Sequence, residues 1–246
     1  MDDMQTIAIP GTGNFQFSAV KLENLGATEY TLVTIAIDIS SSVDPFADEL
    51  LKSLKSIVES CKKSPRAENL MVRLITFNQE IQEIHGFKLL NQINVNDYKD
   101  LNPLGLTALY DATYSAIGAM TTYAKNLTEQ EFGVNGAIFI VTDGMDNRSV
   151  MKPHHIAEKL KEGIAEEYIE SHISCLVGLK DPSLHWNDDI IKYLNKFKEE
   201  ADLTEFLDVG DATPKKLAKL ANWVSSSISS QSQALGTGGP SQQLTF

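Results

Sequence analysis

Residues 31–37 read TLVTIAI, a nearly continuous apolar run that is rich in β-branched side chains. Runs of this kind are typical of a strand that is buried on both faces, as in a parallel sheet. A second such run, GAIFIVT, covers residues 136–142. The two stretches therefore predict two central strands of a sheet that has helices on both sides.

The rest of the chain alternates between short apolar runs and amphipathic segments. Further strands are predicted at 15–22, 70–77, 80–90, 173–179 and 204–209, and helices at 44–63, 107–124, 153–169, 188–198 and from 213 onward. The first helix is expected to begin at Asp44 as N-cap, with Pro45 as its first residue. This alternation predicts an α/β fold with a Rossmann-like, open, mostly parallel sheet and helices on both faces.

The length of 246 residues suits one large α/β domain. Residues 1–14 carry no strong pattern and are taken as an N-terminal segment. The domain itself is predicted to span residues 15–230, including an N-terminal strand or hairpin at 15–30. Residues 231–246 are rich in Ser, Gln and Gly, which predicts a flexible tail.

Composition restricts the classes of partner. The chain carries 33 acidic and 21 basic residues, a net charge of −12. This balance argues against nucleic acid or an anionic membrane as the main partner. No signal peptide or membrane-spanning run is apparent, so a soluble, cytoplasmic protein is expected. Cys61 and Cys175 are expected to be buried thiols rather than parts of a disulfide framework.

Polar residues follow both central strands and open one helix. Asp38 comes directly after residues 31–37, Asp143 directly after residues 136–142, and Thr107 opens the helix at 107–124. Ligands of open α/β sheets bind beyond the carboxyl ends of the strands. If the two central strands are neighbours, both aspartates emerge at one edge. Ser40 and Ser42 follow Asp38 at spacings of two, so an extended backbone would point all three side chains the same way.

Two carboxylates and three hydroxyls make a set of hard oxygen ligands. Such a set suits Mg²⁺ or Mn²⁺ rather than zinc or copper. The two carboxylates would balance the charge of one divalent cation. Three neutral hydroxyls would leave the cation able to accept one more anionic ligand.

The order Asp-x-Ser-x-Ser at 38–42, then Thr107, then Asp143 in a Thr-Asp-Gly context, resembles the metal-ion-dependent adhesion site of the von Willebrand factor A family. The resemblance covers about residues 30–225. One departure is Leu106, since the family often has a second glycine before the threonine. The resemblance implies that Ser40, Ser42 and Thr107 contact the metal, and that Asp38 and Asp143 often act through water.

The function implied by this resemblance is a non-enzymatic, metal-dependent protein-interaction module. Its metal would bind an Asp or Glu carboxylate of a protein partner, for instance within an intracellular complex in which the chain is an adaptor or subunit. A metal-dependent phosphoester hydrolase is one alternative, and a structural domain with a vestigial site is another. For Asp111 and Asp146, support of the site and plain surface polarity are equally compatible with the sequence.

Overall fold

A computed structural model describes residues 3–181, 188–237 and 244–246. The strands are β1 (Met4–Ala8), β2 (Gln16–Val20), β3 (Glu29–Asp38), β4 (Leu70–Phe77), β5 (Ile81–Leu89), β6 (Gly133–Thr142), β7 (Ser171–Lys180) and β8 (Glu205–Asp211). The helices are α1 (Ala47–Cys61), α2 (Leu109–Thr128), α3 (Pro153–Ala165), α4 (Asp188–Glu200) and α5 (Pro214–Thr237). The alternation of strands and helices read from the sequence is confirmed, with boundaries that differ by a few residues.

All eight strands form one sheet in the order β1-β2-β5-β4-β3-β6-β7-β8. The strands from β4 through β3, β6 and β7 to β8 run parallel. Two antiparallel pairs, β4 with β5 and β1 with β2, complete the sheet on one side. The predicted α/β fold with a mostly parallel, Rossmann-like sheet is therefore confirmed.

The central pair β3 and β6 is enclosed by helices from both sides. Val33 and Ile35 of β3 face one hydrophobic cluster, which holds the buried side chains of α1 and α5. Leu32 and Ala36 face a second cluster, to which α2, α3 and α4 contribute. Alternate residues of one strand thus enter two separate cores, which explains why its sequence is apolar without alternation.

At both ends of the chain, the structure differs from what the sequence predicts. Met4–Ala8 pairs with β2 as an edge strand, although residues 1–14 show no strong pattern. Helix α5 continues to Thr237, into the segment assigned to the tail. At the C-terminus, the Leu244 carbonyl accepts a hydrogen bond from the Trp223 indole at 2.9 Å, and the Phe246 ring packs against the same indole. The domain boundaries stay a prediction.

The first long helix begins later than the sequence predicts, and the prediction of Asp44 as its N-cap is wrong. Residues Ser41–Phe46 form a 3₁₀ turn, and α1 begins only at Ala47, so Asp44 does not cap it. Tight turns of this kind are common at the ends of α-helices. Here Val43 and Phe46 are buried by the turn while Asp44 stays exposed. Apolar burial, rather than the capping potential of Asp44, therefore determines the local conformation.

Both cysteines are free and buried, as expected from the sequence. Burial raises the pKa of the Cys61 thiol to about 12, so this group stays protonated and unreactive near neutral pH. No helix within the described residues is long and apolar enough to cross a membrane.

A buried ion pair joins four elements of the sheet and its covering helix. Arg73 of β4 is only 1% exposed and donates to Glu83 of β5 at 2.7 Å. Its guanidinium also donates to the carbonyl and hydroxyl of Ser115 on α2. Glu83 in turn accepts hydrogen bonds from the backbone N–H and hydroxyl of Ser18 on β2. Because each charge has partners, this buried pair is compensated within the chain.

We predict that Glu83→Gln lowers the free energy of unfolding by about 2–4 kcal/mol, because it leaves the Arg73 charge buried without a counterion. Urea unfolding followed by circular dichroism measures the change. Glu49→Gln, which removes the partly exposed partner of the exposed Lys52, is the matched control and should leave the midpoint unchanged. Equal effects of the two substitutions would contradict the structural importance assigned to the Arg73 pair.

Candidate metal site

The two predicted aspartates emerge from neighbouring strands. β3 and β6 pair in parallel from Glu29 with Gly133 to Ile37 with Val141. Asp38 is the last residue of β3, and Asp143 directly follows β6, so both lie at the same edge of the sheet. They are 1% and 8% exposed, respectively. The two central strands are therefore neighbours, which was the condition for both aspartates to emerge at one edge.

A continuous chain of hydrogen bonds joins four of the five predicted site residues. The Ser42 hydroxyl donates to Asp143 Oδ1 at 2.9 Å. The Ser40 and Ser42 hydroxyl oxygens lie 3.2 Å apart. The Ser40 backbone N–H donates to Asp38 Oδ1 at 2.8 Å. Side chains more than 100 positions apart in sequence thus meet in one cluster of carboxylates and hydroxyls.

The reason for this convergence differs from the one read in the sequence. An extended backbone through residues 38–42 was expected to point the three side chains the same way. The backbone is extended at Asp38, which ends β3, and at Ser40, with φ −67° and ψ 165°, but Ser41–Phe46 turns immediately into a 3₁₀ helix. The turn brings the exposed Ser42 back to Asp143. The side chains meet because the chain folds back, and a straight strand is not required.

Thr107 reaches the same edge but is held through its backbone. Its N–H donates to the Asn147 side chain at 2.8 Å, and its carbonyl accepts from the Asn147 N–H at 3.0 Å. The residue is 5% exposed. Within the described residues, its hydroxyl makes no hydrogen bond to the other four site residues. Thr107 therefore lies between the loops of Asp38 and Asp143, with a hydroxyl that is not engaged in the cluster.

Two residues at the site had no role assigned from the sequence. The Thr142 hydroxyl donates to Asp38 Oδ2 at 2.6 Å and so fixes the second oxygen of that carboxylate. Asn147 pairs with both backbone polar groups of Thr107. The sequence offered only their positions as a signal. Thr142 precedes Asp143 in the Thr-Asp-Gly segment, and Asn147 lies four positions after Asp143. Neither position reveals a long-range partner without the fold.

Asp111 and Asp146, left open by the sequence, both hold the loop that follows Asp143. Asp111 accepts hydrogen bonds from the backbone N–H groups of Val150 and Met151. Asp146 accepts from the backbone N–H of Tyr110 and from the Ser149 hydroxyl. These carboxylates tie the loop after β6 to the start of α2, and so support the site indirectly.

The electrostatics of the cluster are unfavourable to two charged carboxylates. Burial raises the pKa of Asp143 to about 7, and repulsion from Asp38 adds to the shift, against a hydrogen bond from Ser42. Burial likewise raises the pKa of Asp38, although hydrogen bonds from Thr142 and Ser40 oppose it. Among the described residues, no Lys, Arg or His forms an ion pair with either carboxylate. Within the described part of the chain, hydroxyl and N–H dipoles are the groups that compensate the negative charge at this edge.

The donor set fits a hard divalent cation. Three hydroxyls and two carboxylates converge on one edge, and the two carboxylates lack a cationic side-chain partner in the described part of the chain. The described residues contain no group of three or more His, Cys, Asp or Glu side chains arranged to hold a metal. A site here would therefore depend on hydroxyl ligands, as the sequence predicts. The assignment of the five residues as metal ligands stays a prediction.

Comparison with known proteins shows the fold alone. No protein-family model and no curated protein sequence matches the chain. A mutant form of the PilB minor pilin from Streptococcus sanguinis aligns with a TM-score of 0.59 and 15% identity, over 91% of this chain and 66% of that one. Proximal thread matrix protein 1 from the mussel byssus aligns with a TM-score of 0.53 and 15% identity, over 82% of this chain and 48% of that one.

A third solved structure with the same fold is the pilus adhesin SpaC from Lactobacillus rhamnosus GG in an open conformation. It aligns with a TM-score of 0.52 and 11% identity, over 93% of this chain and 34% of that one. The chain thus spans less than two thirds of the length of each of these three proteins. At such low identity the common feature is the α/β architecture.

We predict that Asp143→Asn increases the free energy of unfolding in EDTA at pH 8 by about 1–2 kcal/mol. The substitution removes one of two repelling, buried carboxylates but keeps an oxygen that accepts from Ser42. Denaturant unfolding in EDTA measures the effect. Asp44→Asn, an exposed substitution in the adjoining turn, is the control and should change little. A loss of stability in Asp143→Asn would show that the folded chain compensates this charge by itself.

Proposed function

We propose that this chain is a von Willebrand factor A-type module that binds a protein partner through Mg²⁺ or Mn²⁺. Ser40, Ser42 and Thr107 would hold the metal directly, and Asp38 and Asp143 would hold it through water. The observation that carries the proposal is the hydrogen-bonded cluster from Asp38 through Ser40 and Ser42 to Asp143, formed where two adjacent parallel strands end.

The metal would supply a positive charge that the described residues around the two carboxylates lack. Neutral hydroxyl ligands leave much of that charge available to an incoming anion. The chain itself has a net charge of −12 and repels an acidic partner at long range. A metal at this edge is therefore the natural place for an Asp or Glu carboxylate of another protein to bind.

The arrangement of the site residues supports the binding of a partner more directly than it supports catalysis. Thr142 holds Asp38 in place, and Asn147 holds the Thr107 backbone, so the ligands are fixed before a partner arrives. One protein of the same fold, SpaC, is described as a pilus adhesin. We therefore propose a non-enzymatic interaction module rather than the alternative, a metal-dependent phosphoester hydrolase.

Calorimetric titration should show one Mg²⁺ or Mn²⁺ bound per chain, and no binding to Asp38→Ala. Because Asp38 is buried, its loss can also disturb folding, so Ser42→Ala serves as a second variant at an exposed ligand. We expect Ser42→Ala to weaken metal binding on the order of tenfold or more while its circular dichroism spectrum stays that of the wild type.

The matched control for both variants is Asp44→Ala, which removes an exposed carboxylate from the same turn. It should bind the metal as tightly as the wild type. Metal binding that survives in correctly folded Asp38→Ala and Ser42→Ala proteins would place the site elsewhere.

The hydrolase alternative makes an opposite prediction in an activity assay. With p-nitrophenyl phosphate as substrate, we expect the same background rate with saturating Mg²⁺, with Mn²⁺ and with EDTA, because the proposed metal position serves to bind a carboxylate. A metal-dependent rate that is lost in Ser42→Ala would favour the hydrolase over the interaction module.

A further inference from the structure

Exposed apolar side chains are concentrated beside the candidate metal site. Across residues 3–181, 188–237 and 244–246, six large apolar side chains are exposed, and four of them lie on the two loops that flank the site. We call these four the apolar rim: Leu104 (68% exposed), Leu106 (48%), Met145 (37%) and Val150 (76%). The other two, Ile84 and Ile164, lie on β5 and α3.

Both loops are held against the site by backbone hydrogen bonds. The Leu104 N–H donates to the carbonyl of Ile39 at 2.9 Å, and the Ser41 N–H donates to the Gly105 carbonyl at 3.3 Å. On the other side, Asn147 pairs with Thr107 through two hydrogen bonds. Leu104 and Leu106 thus flank the loop of Ser40 and Ser42, and Met145 and Val150 belong to the loop of Asp143.

Leu104 also borders a cavity next to the site. The cavity has a volume of about 320 Å³; apolar side chains such as Leu51, Leu54 and Ile84 line part of it, and polar or charged residues, among them Asp97 and Asp100, line the rest. Ile39, the residue between Asp38 and Ser40, is part of the same lining. This volume falls at the lower end of the range for pockets that hold small ligands, so a side chain that contacts Leu104 has space beside it.

Exposed apolar groups that are concentrated in one region of a protein mark surfaces that bind a partner. Here four of them lie on the two loops that flank the proposed docking point for a carboxylate. A single carboxylate on a metal provides little discrimination between acidic partners, because any Asp or Glu offers the same group. Apolar contacts beside it do not depend on charge and are unaffected by the repulsion from a chain of net charge −12.

We infer that the partner presents an Asp or Glu with large apolar side chains within a few residues of it, the carboxylate at the metal and the apolar side chains on the rim. This inference rests on the function proposed above. It identifies Leu104, Leu106, Met145 and Val150 as the residues that determine which acidic segments bind.

The test is a selection from a library of random 12-residue peptides displayed on phage, with the intact chain immobilised in Mn²⁺ and bound peptides released by EDTA. We expect the released peptides to contain an Asp or Glu that is flanked by Leu, Ile, Phe or Met more often than in the unselected library. Released peptides whose acidic residue has only polar neighbours would overturn the inference. So would recovery of no EDTA-released peptide by a protein that binds Mn²⁺ in calorimetry.

Variants of the rim then separate this inference from the metal proposal. Leu104→Ser combined with Val150→Ser should weaken the best synthetic peptide on the order of tenfold, and leave Mn²⁺ affinity unchanged. The control is Ile164→Ser, which removes an exposed apolar side chain of α3, away from the rim, and should change peptide affinity less than twofold.

The two hypotheses fail in different ways. Peptide affinity in the Leu104→Ser/Val150→Ser variant within twofold of the wild type, with binding still abolished by EDTA, would overturn the role of the rim and leave the metal proposal standing. Peptides that stay bound through the EDTA step and have the same affinity in EDTA as in Mn²⁺, with none released by EDTA, would overturn the proposed function itself, whatever their sequence.

Discussion

The structure depends on the burial of two neighbouring parallel strands, β3 and β6. Their backbone N–H and C=O groups have no access to water, so they must pair with adjacent strands along their whole length. The pairing runs from Glu29 with Gly133 to Ile37 with Val141. Once that register is fixed, both strands end at the same height. The chain therefore leaves the sheet at two adjoining points, so the residues that follow the two strands lie close together.

The sheet order explains why the candidate site lies at this edge. From β3, the chain proceeds through α1 to β4 on one side, and later through α2 to β6 on the other. The two connecting helices lie on opposite faces, with α1 in one hydrophobic cluster and α2 in the other. The connections diverge beyond these strand ends, which is the position where other open α/β sheets bind ligands. The candidate site and the apolar rim both lie at this point.

The fold contains two buried clusters of ionisable side chains that differ in how their charge is compensated. Arg73 is enclosed among β2, β4, β5 and α2, but Glu83 and Ser115 satisfy its guanidinium. Asp38 and Asp143 are almost as deeply buried, yet their partners are hydroxyl and N–H groups. The first arrangement stabilises the fold. In the second, folding places two negative groups together at a cost, and a bound cation would offset that cost.

The sequence by itself determined most of the secondary structure, the fold class and the types of side chain at the candidate site. Continuous apolar runs and amphipathic periodicity are local properties, so strands such as 31–37 and 70–77 are predicted nearly residue by residue. It placed Asp38 and Asp143 at strand ends for the same reason. Only the tertiary structure decided that Ser42 turns back to Asp143, because that contact spans 101 positions and depends on a 3₁₀ turn. The pairing of β1 and the role of Asn147 were likewise invisible, since both depend on distant partners rather than on local pattern.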